Sequence, residues 1–153
     1  MSRQLGPVPS TPYEHLTSDS PYGSSRIRVS QPHPIGIERP SSGALETTLA
    51  CATCGDPVEI TVMSIGSTKI WRLGWLLGVL LSLALTAACV VGIVSAGPDG
   101  GGALIGSTAG FVLGLLCVVY TVLHWWHEDG VRGPGLPWRS GRHFVRHFWA
   151  GPR

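Results

Sequence analysis

LGWLLGVLLSLALTAACVVGIVSA, residues 73–96, runs without a single Asp, Glu, Lys or Arg. At about 1.5 Å rise per residue, a helix of that length exceeds the roughly 30 Å hydrocarbon thickness of a bilayer. GPDGGG at 97–102 interrupts the run, and ALIGSTAGFVLGLLCVVYTVLHWW at 103–126 repeats the pattern, again uncharged. The two runs predict transmembrane helices over 73–97 and 103–127, joined by an extracytoplasmic turn at 98–102. Two buried core helices of a soluble protein do not fit, because no amphipathic element remains to cover them.

Working outward, the flanks set an expected orientation. Lys69 and Arg72 precede the first run, and Arg132, Arg139, Arg142 and Arg146 follow the second, whereas the turn holds only Asp99. Basic residues concentrate on the cytoplasmic side of membrane spans, so both termini are expected in the cytoplasm, with the protein multi-pass in the inner (plasma) membrane. Trp71, Trp75, Trp125 and Trp126 fall at that same interface, where indole rings settle; Arg142 and Arg146 are assigned there too. Membrane lipid is therefore an expected partner.

Composition agrees. Of 153 residues, 44% are hydrophobic and 13% charged, about half the usual soluble level of roughly 25%. A net charge of +2 gives no case for nucleic acid. Arg outnumbers Lys ten to one and Gly and Pro are abundant, a bias typical of GC-rich coding and so of a bacterial source. Neither run contains an intramembrane acid or base of the kind transport pathways need.

The spans carry small residues in helical register: Gly106, Gly110 and Gly114 on the second, Gly74 and Gly78 on the first. Glycine at four-residue spacing lets helix backbones approach closely, either closing the hairpin or joining two copies. A homodimer or a larger membrane complex is accordingly expected. Cys89 and Cys117 lie at different depths and are expected to serve as small apolar residues.

On the N-terminal side, residues 1–43 are rich in Pro, Ser and Gly with scattered apolar positions. They read as a disordered tail without a cleavable signal peptide. On the C-terminal side, a loop is expected over 128–138. RHFVRHFW at 142–149 then sorts Arg142, His143, Arg146 and His147 from Phe144, Val145, Phe148 and Trp149 at about 100° per residue. That pattern predicts a basic amphipathic helix over 139–150, lying in the membrane interface.

The stretch best suited to chemistry is ALETTLACATCGDPVEITVM, residues 44–63. Two alternating runs flank C-x-x-C-G-D-P, which predicts a β-hairpin over 44–64 with Cys51 and Cys54 at its tip, and a linker at 65–72. In a reducing cytoplasm a structural disulfide is disfavoured, leaving a metal turn, a redox pair or no special role. Residues 45–63 resemble one knuckle of the zinc-ribbon family, a half-site with no second C-x-x-C in the chain. The resemblance implies Cys51 and Cys54 as zinc ligands. A four-ligand site then needs either a second copy of the turn across a homodimer, or two imidazoles within one chain, His124 and His127 or His143 and His147. A thioredoxin-like redox motif lacks its βαβ scaffold here.

The expected fold is thus all-α membrane: a two-helix transmembrane hairpin with a disordered arm, a short cytoplasmic β-hairpin and a C-terminal amphipathic helix. By layout and composition it resembles the small two-span membrane proteins common in actinobacteria. The expected function is non-enzymatic interaction or regulation, with zinc the only implied cofactor. A membrane-anchored thiol redox sensor, or an accessory subunit of a larger complex, is the alternative. No catalytic constellation and no small-molecule substrate are evident in the sequence.

Overall fold

The computed structural model describes residues 4–23, 25–97, 100–133 and 142–145. In chain order the elements are β1 (Tyr13–Tyr22), β2 (Ser25–His33), β3 (Ala44–Ala50), β4 (Pro57–Met63), α1 (Ile65–Ala96), α2 (Gly101–His127), β5 (Val131–Arg132) and β6 (His143–Val145). The strands form two three-stranded antiparallel sheets, ordered β2-β1-β6 and β3-β4-β5. The architecture is α+β, which overturns the all-α expectation.

Besides β5, which lies within the stretch read as a loop over 128–138, three segments account for the difference. Within the stretch read as a disordered tail, β1 and β2 pair from Tyr13↔His33 to Tyr22↔Ser25, with a bulge between Leu16 and Ser18. Their composition disguised them because the last six residues of β1 are exposed and need no apolar alternation. Pro21 is tolerated there, since among the described residues β6 covers β1 only at Tyr13–His15 and no third strand pairs at Pro21. Secondly, His143–Val145, read as helical, is a strand whose three side chains are all buried. So short a helix is marginal alone, whereas β6 gains backbone pairing with β1. The rest of the predicted helix, with Arg146 and His147, lies outside the described residues. Thirdly, the stretch read as a linker opens α1. Ser64 caps the helix, its Oγ accepting from the Ser67 N–H at 3.1 Å.

The chain divides into two units: the helical hairpin Ile70–His127, and the described residues up to Lys69 and from Glu128 onward. In the second unit, β3 and β4 pair from Ala44↔Met63 to Ala50↔Pro57. Alternation sends Val58, Ile60 and Val62 inward and leaves Glu59 outside. These side chains meet Tyr13, Val145, Val131 and Ile35 in one small core, with Ile37 and Leu49 packed against it.

A buried ion pair closes the same unit. Arg39 and Asp129 are 2% and 5% exposed, and Arg39 Nη2 lies 2.7 Å from Asp129 Oδ1. Three more guanidinium hydrogens go to the carbonyls of Gly6, Met63 and Asp129. Asp129 Oδ2 accepts from the N–H and hydroxyl of both Ser10 and Thr11. Every polar atom of the pair thereby has a partner, which a buried pair requires.

Gly130 adopts φ 64°, and a Cβ on it would run into Thr68 Oγ1. Thr68 is fully buried and its Oγ1 donates to Ser64 C=O, so it has no room to retreat. Gly130→Ala is expected to destabilise this unit by about 1–3 kcal/mol. Gly36→Ala, with open space around its Cβ and no positive φ, serves as the neutral control. Thermal denaturation of the two variants in detergent measures the difference.

In the helical unit, both helices are long and apolar enough to cross a membrane. The hairpin closes on small residues. A Cβ on Gly110 would lie 2.7 Å from Cys89 Sγ, one on Gly92 would lie 2.6 Å from Ser107 Oγ, and Gly114 faces Thr86 just as closely. Gly78 meets Thr121 at 3.2 Å, while Gly74 and Gly106 have nothing within 4 Å. Gly110, Gly114 and Gly78 thus serve contact within the hairpin, where dispersion between close backbones holds helices together. Ser82, Thr86, Thr108 and Thr121 return their hydroxyls to carbonyls on their own helix. Cys89 and Cys117 are free thiols. Trp75 stacks on His124 at 4.5 Å, and Trp125 lies edge-on to Trp126 at 6.1 Å. Both pairs involve the residues assigned to the interface.

Candidate metal centre

The loop between β3 and β4 is closed at its base. Cys51 N–H donates to Asp56 C=O, and Gly55 N–H donates to Cys51 C=O, each at 2.8 Å. Gly55 takes φ 79°, a conformation that favours glycine and turns the loop tightly. Cys51 is buried against the core and Cys54 stays exposed.

Sheet β2-β1-β6 cradles this loop. Tyr13 Oη accepts the Ala52 N–H at 3.1 Å, and His33 Nε2 sits 2.8 Å from Thr53 Oγ1. Gln31 Oε1 accepts from the same threonine at 3.4 Å. The sheet also brings two imidazoles. His15 on β1 stands opposite His143 on β6. The neighbouring pair is joined by Leu16 N–H donating to Arg142 C=O at 2.7 Å. Hydrogen-bonded and non-hydrogen-bonded pairs alternate along an antiparallel ladder, so His15 and His143 occupy a non-hydrogen-bonded pair, where side chains approach most closely. Their rings lie 5.0 Å apart between centroids, and His15 Nδ1 is 3.1 Å from His143 Nε2.

The two pairs converge. Cys51 Sγ lies 3.6 Å from His15 Nδ1; Cys54 Sγ lies 3.7 Å from His15 Nδ1 and 3.3 Å from His143 Nε2. All four donor atoms fall within 4.8 Å of one another, a group able to hold a metal ion.

The local electrostatics favour the ligand form at Cys51 and His143 and oppose it at Cys54. Burial pushes the Cys51 thiol up, but the backbone N–H groups of Cys54 and Thr53 outweigh it and hold it below the ordinary value. At Cys54 the Asp56 N–H favours the thiolate, yet desolvation, the Asp56 carboxylate and Cys51 together push the thiol up. Burial, then the charges of His15 and Arg142, hold His143 below the ordinary imidazole value, so it stays neutral with a lone pair to offer. The Asp56 carboxylate is 3.3 Å from Cys54 Sγ. A groove of about 700 Å³ over the polar face of β3 and β4 reaches His143 and is lined also by Glu46, Glu59 and Arg132.

The sequence-derived candidates divide accordingly. Cys51, Cys54 and His143 are brought together; His124 stacks between Trp75 and Tyr120 in the helical unit, His127 ends α2, and His147 lies outside the described residues. His15 escaped the sequence reading. The one local signal for it was the alternation of Arg26, Ile27, Arg28 and Val29, which marks β2 and hence a partner strand upstream. In comparisons with known proteins, no family model, no curated protein and no solved structure matches the chain.

Proposed function

We propose that the chain is a small integral membrane protein of non-enzymatic, interaction or regulatory type, carrying a zinc site made by His15, Cys51, Cys54 and His143. The convergence of these four donors from β1, the β3–β4 loop and β6 carries the reading. A tetrahedral ion with bonds of about 2.3 Å to sulfur and about 2.0–2.1 Å to nitrogen sets ligand–ligand edges of about 3.3–3.8 Å. Four of the six edges run from 3.1 to 3.7 Å, and all six lie within 4.8 Å. Two thiolates and two imidazoles in a closed set suit zinc held for structure rather than catalysis.

Two apolar helices support membrane spanning, and the basic residues flanking them support cytoplasmic termini. In that topology the metal site faces a reducing compartment, where the thiols stay available as ligands. A site complete within one chain removes the need for a second copy to supply thiolates. The oligomer expected from the half-site therefore rests on other surfaces, and a partner in the membrane or cytoplasm is the natural target of the metal-held unit.

The test is bound metal in the full chain, purified in mild detergent and measured by mass spectrometry. About one zinc per chain is expected, falling to background in His15→Ala and in Cys51→Ser. Half a zinc per chain would indicate a site shared between copies. Full zinc retention in His15→Ala would rule out the four-residue assignment.

A further inference from the structure

The two sulfurs of the centre differ in access. Cys51 is 3% exposed and packs in the core, whereas Cys54 is exposed. Both sulfurs lie within the same 4.8 Å cluster, three residues apart on a loop whose base is closed by two hydrogen bonds. A small oxidant from solvent therefore meets Cys54 first, and Cys51 stands next to the product.

We propose that this metal centre is also a peroxide-responsive site, with Cys54 as the reacting sulfur and Cys51 as the resolving one. The proposal rests on the metal-site reading above. The Cys54 thiolate attacks one oxygen of a peroxide; the O–O bond breaks, hydroxide leaves (an alkoxide from an organic hydroperoxide), and Cys54 becomes a sulfenic acid. The Cys51 thiolate then attacks the Cys54 sulfur, the S–S bond forms and a second hydroxide leaves. Two thiolates lose two electrons and the peroxide gains them, with solvent protons neutralising the hydroxides. The disulfide retains no anionic sulfur, so the ion keeps only His15 and His143 and dissociates. With it goes one of the links between sheets β2-β1-β6 and β3-β4-β5, leaving the shared core and the loop hydrogen bonds to join them. A dithiol reductant reverses the step.

The experiment uses the zinc-loaded full chain in detergent, in a Cys89→Ala/Cys117→Ala background that leaves only the loop thiols. Hydrogen peroxide is titrated in while released zinc is followed with a colorimetric chelator and thiol state by mass spectrometry. Zinc release in step with disulfide formation, one ion per disulfide, is expected. In Cys51→Ala a sulfenic-acid trap should label Cys54, whereas in Cys54→Ala it should leave Cys51 unlabelled. Zinc that stays bound while peroxide is consumed, or trapping at Cys51, overturns the switch and leaves the metal site standing. Absence of zinc from the untreated protein overturns both.

Discussion

Removing the metal is expected to loosen the sheet unit while leaving the helical hairpin intact. Chelation, or Cys51→Ser, should raise amide hydrogen exchange at least about tenfold in peptides covering β1, β6 and the β3–β4 loop, with α1 and α2 unchanged beyond their ends. The physical basis is the size of the core. Among the described residues, eight make up the apolar cluster of this unit, and a core that small rarely supplies more than about 3–5 kcal/mol by itself. Structural zinc contributes apparent folding energies of roughly 10–16 kcal/mol in zinc-finger peptides, and here the ion would bridge two sheets otherwise joined by this cluster and a few hydrogen bonds to the β3–β4 loop. β6 is the most exposed to the loss, since three residue pairs with β1 hold it. Because every ligand must be deprotonated to bind, occupancy should also fall as the solution is acidified. Exchange unchanged by chelation, in protein shown to have lost its zinc, would mean that the four side chains are held by the sheets alone.

Breaking the Arg39–Asp129 pair is the second large effect. Asp129→Ala leaves a guanidinium 2% exposed without its counter-ion, and orphaning one member of a buried pair costs about 3–5 kcal/mol. Arg39→Ala should cost a similar amount, because it strips Asp129 and the carbonyls of Gly6 and Met63 of their donor. The double variant should cost clearly less than the sum, as expected for groups acting on each other. Chemical denaturation of the three variants, followed by the β signal in circular dichroism, gives the cycle.

The same pair sets an acid limit. Burial alone would push the Asp129 carboxyl up, but the N–H groups of Ser10 and Thr11, the Ser10 hydroxyl and the Arg39 charge outweigh it and hold it below 3.8. A carboxylate favoured by folding contributes its full stability above the unfolded value, and that contribution declines as pH falls through the lower folded value. Unfolding should therefore steepen below about pH 4, and Asp129→Asn should flatten that dependence while lowering stability at neutral pH. An unchanged acid profile in Asp129→Asn would assign the sensitivity to other carboxylates.

Some of this was legible in the chain. Uninterrupted uncharged runs specify their own helices, because backbone hydrogen bonding within a helix needs no distant partner and the apolar surface extends all round it. The β3–β4 hairpin was readable for a similar reason: Val58, Ile60 and Val62 alternate with polar neighbours, and Cys51 to Asp56 supply a turn in between. The small residues Gly110 and Gly114 announced close packing, although only the structure showed it to be the hairpin closing on itself.

The sheet β2-β1-β6 was decided elsewhere. β1 carries Ser, Asp and Pro through its exposed half, so no local pattern distinguishes it from a solvated tail. β6 fits a helical period as well as a strand. β1 becomes a strand because β2 lies beside it, and β6 because β1 does, with 128 residues separating His15 from His143. The chain by itself therefore determined two membrane-length helices and half of the candidate metal cluster. The other half depended on pairing between distant segments. Backbone hydrogen bonds across a sheet are supplied by a neighbour whose identity local sequence does not record.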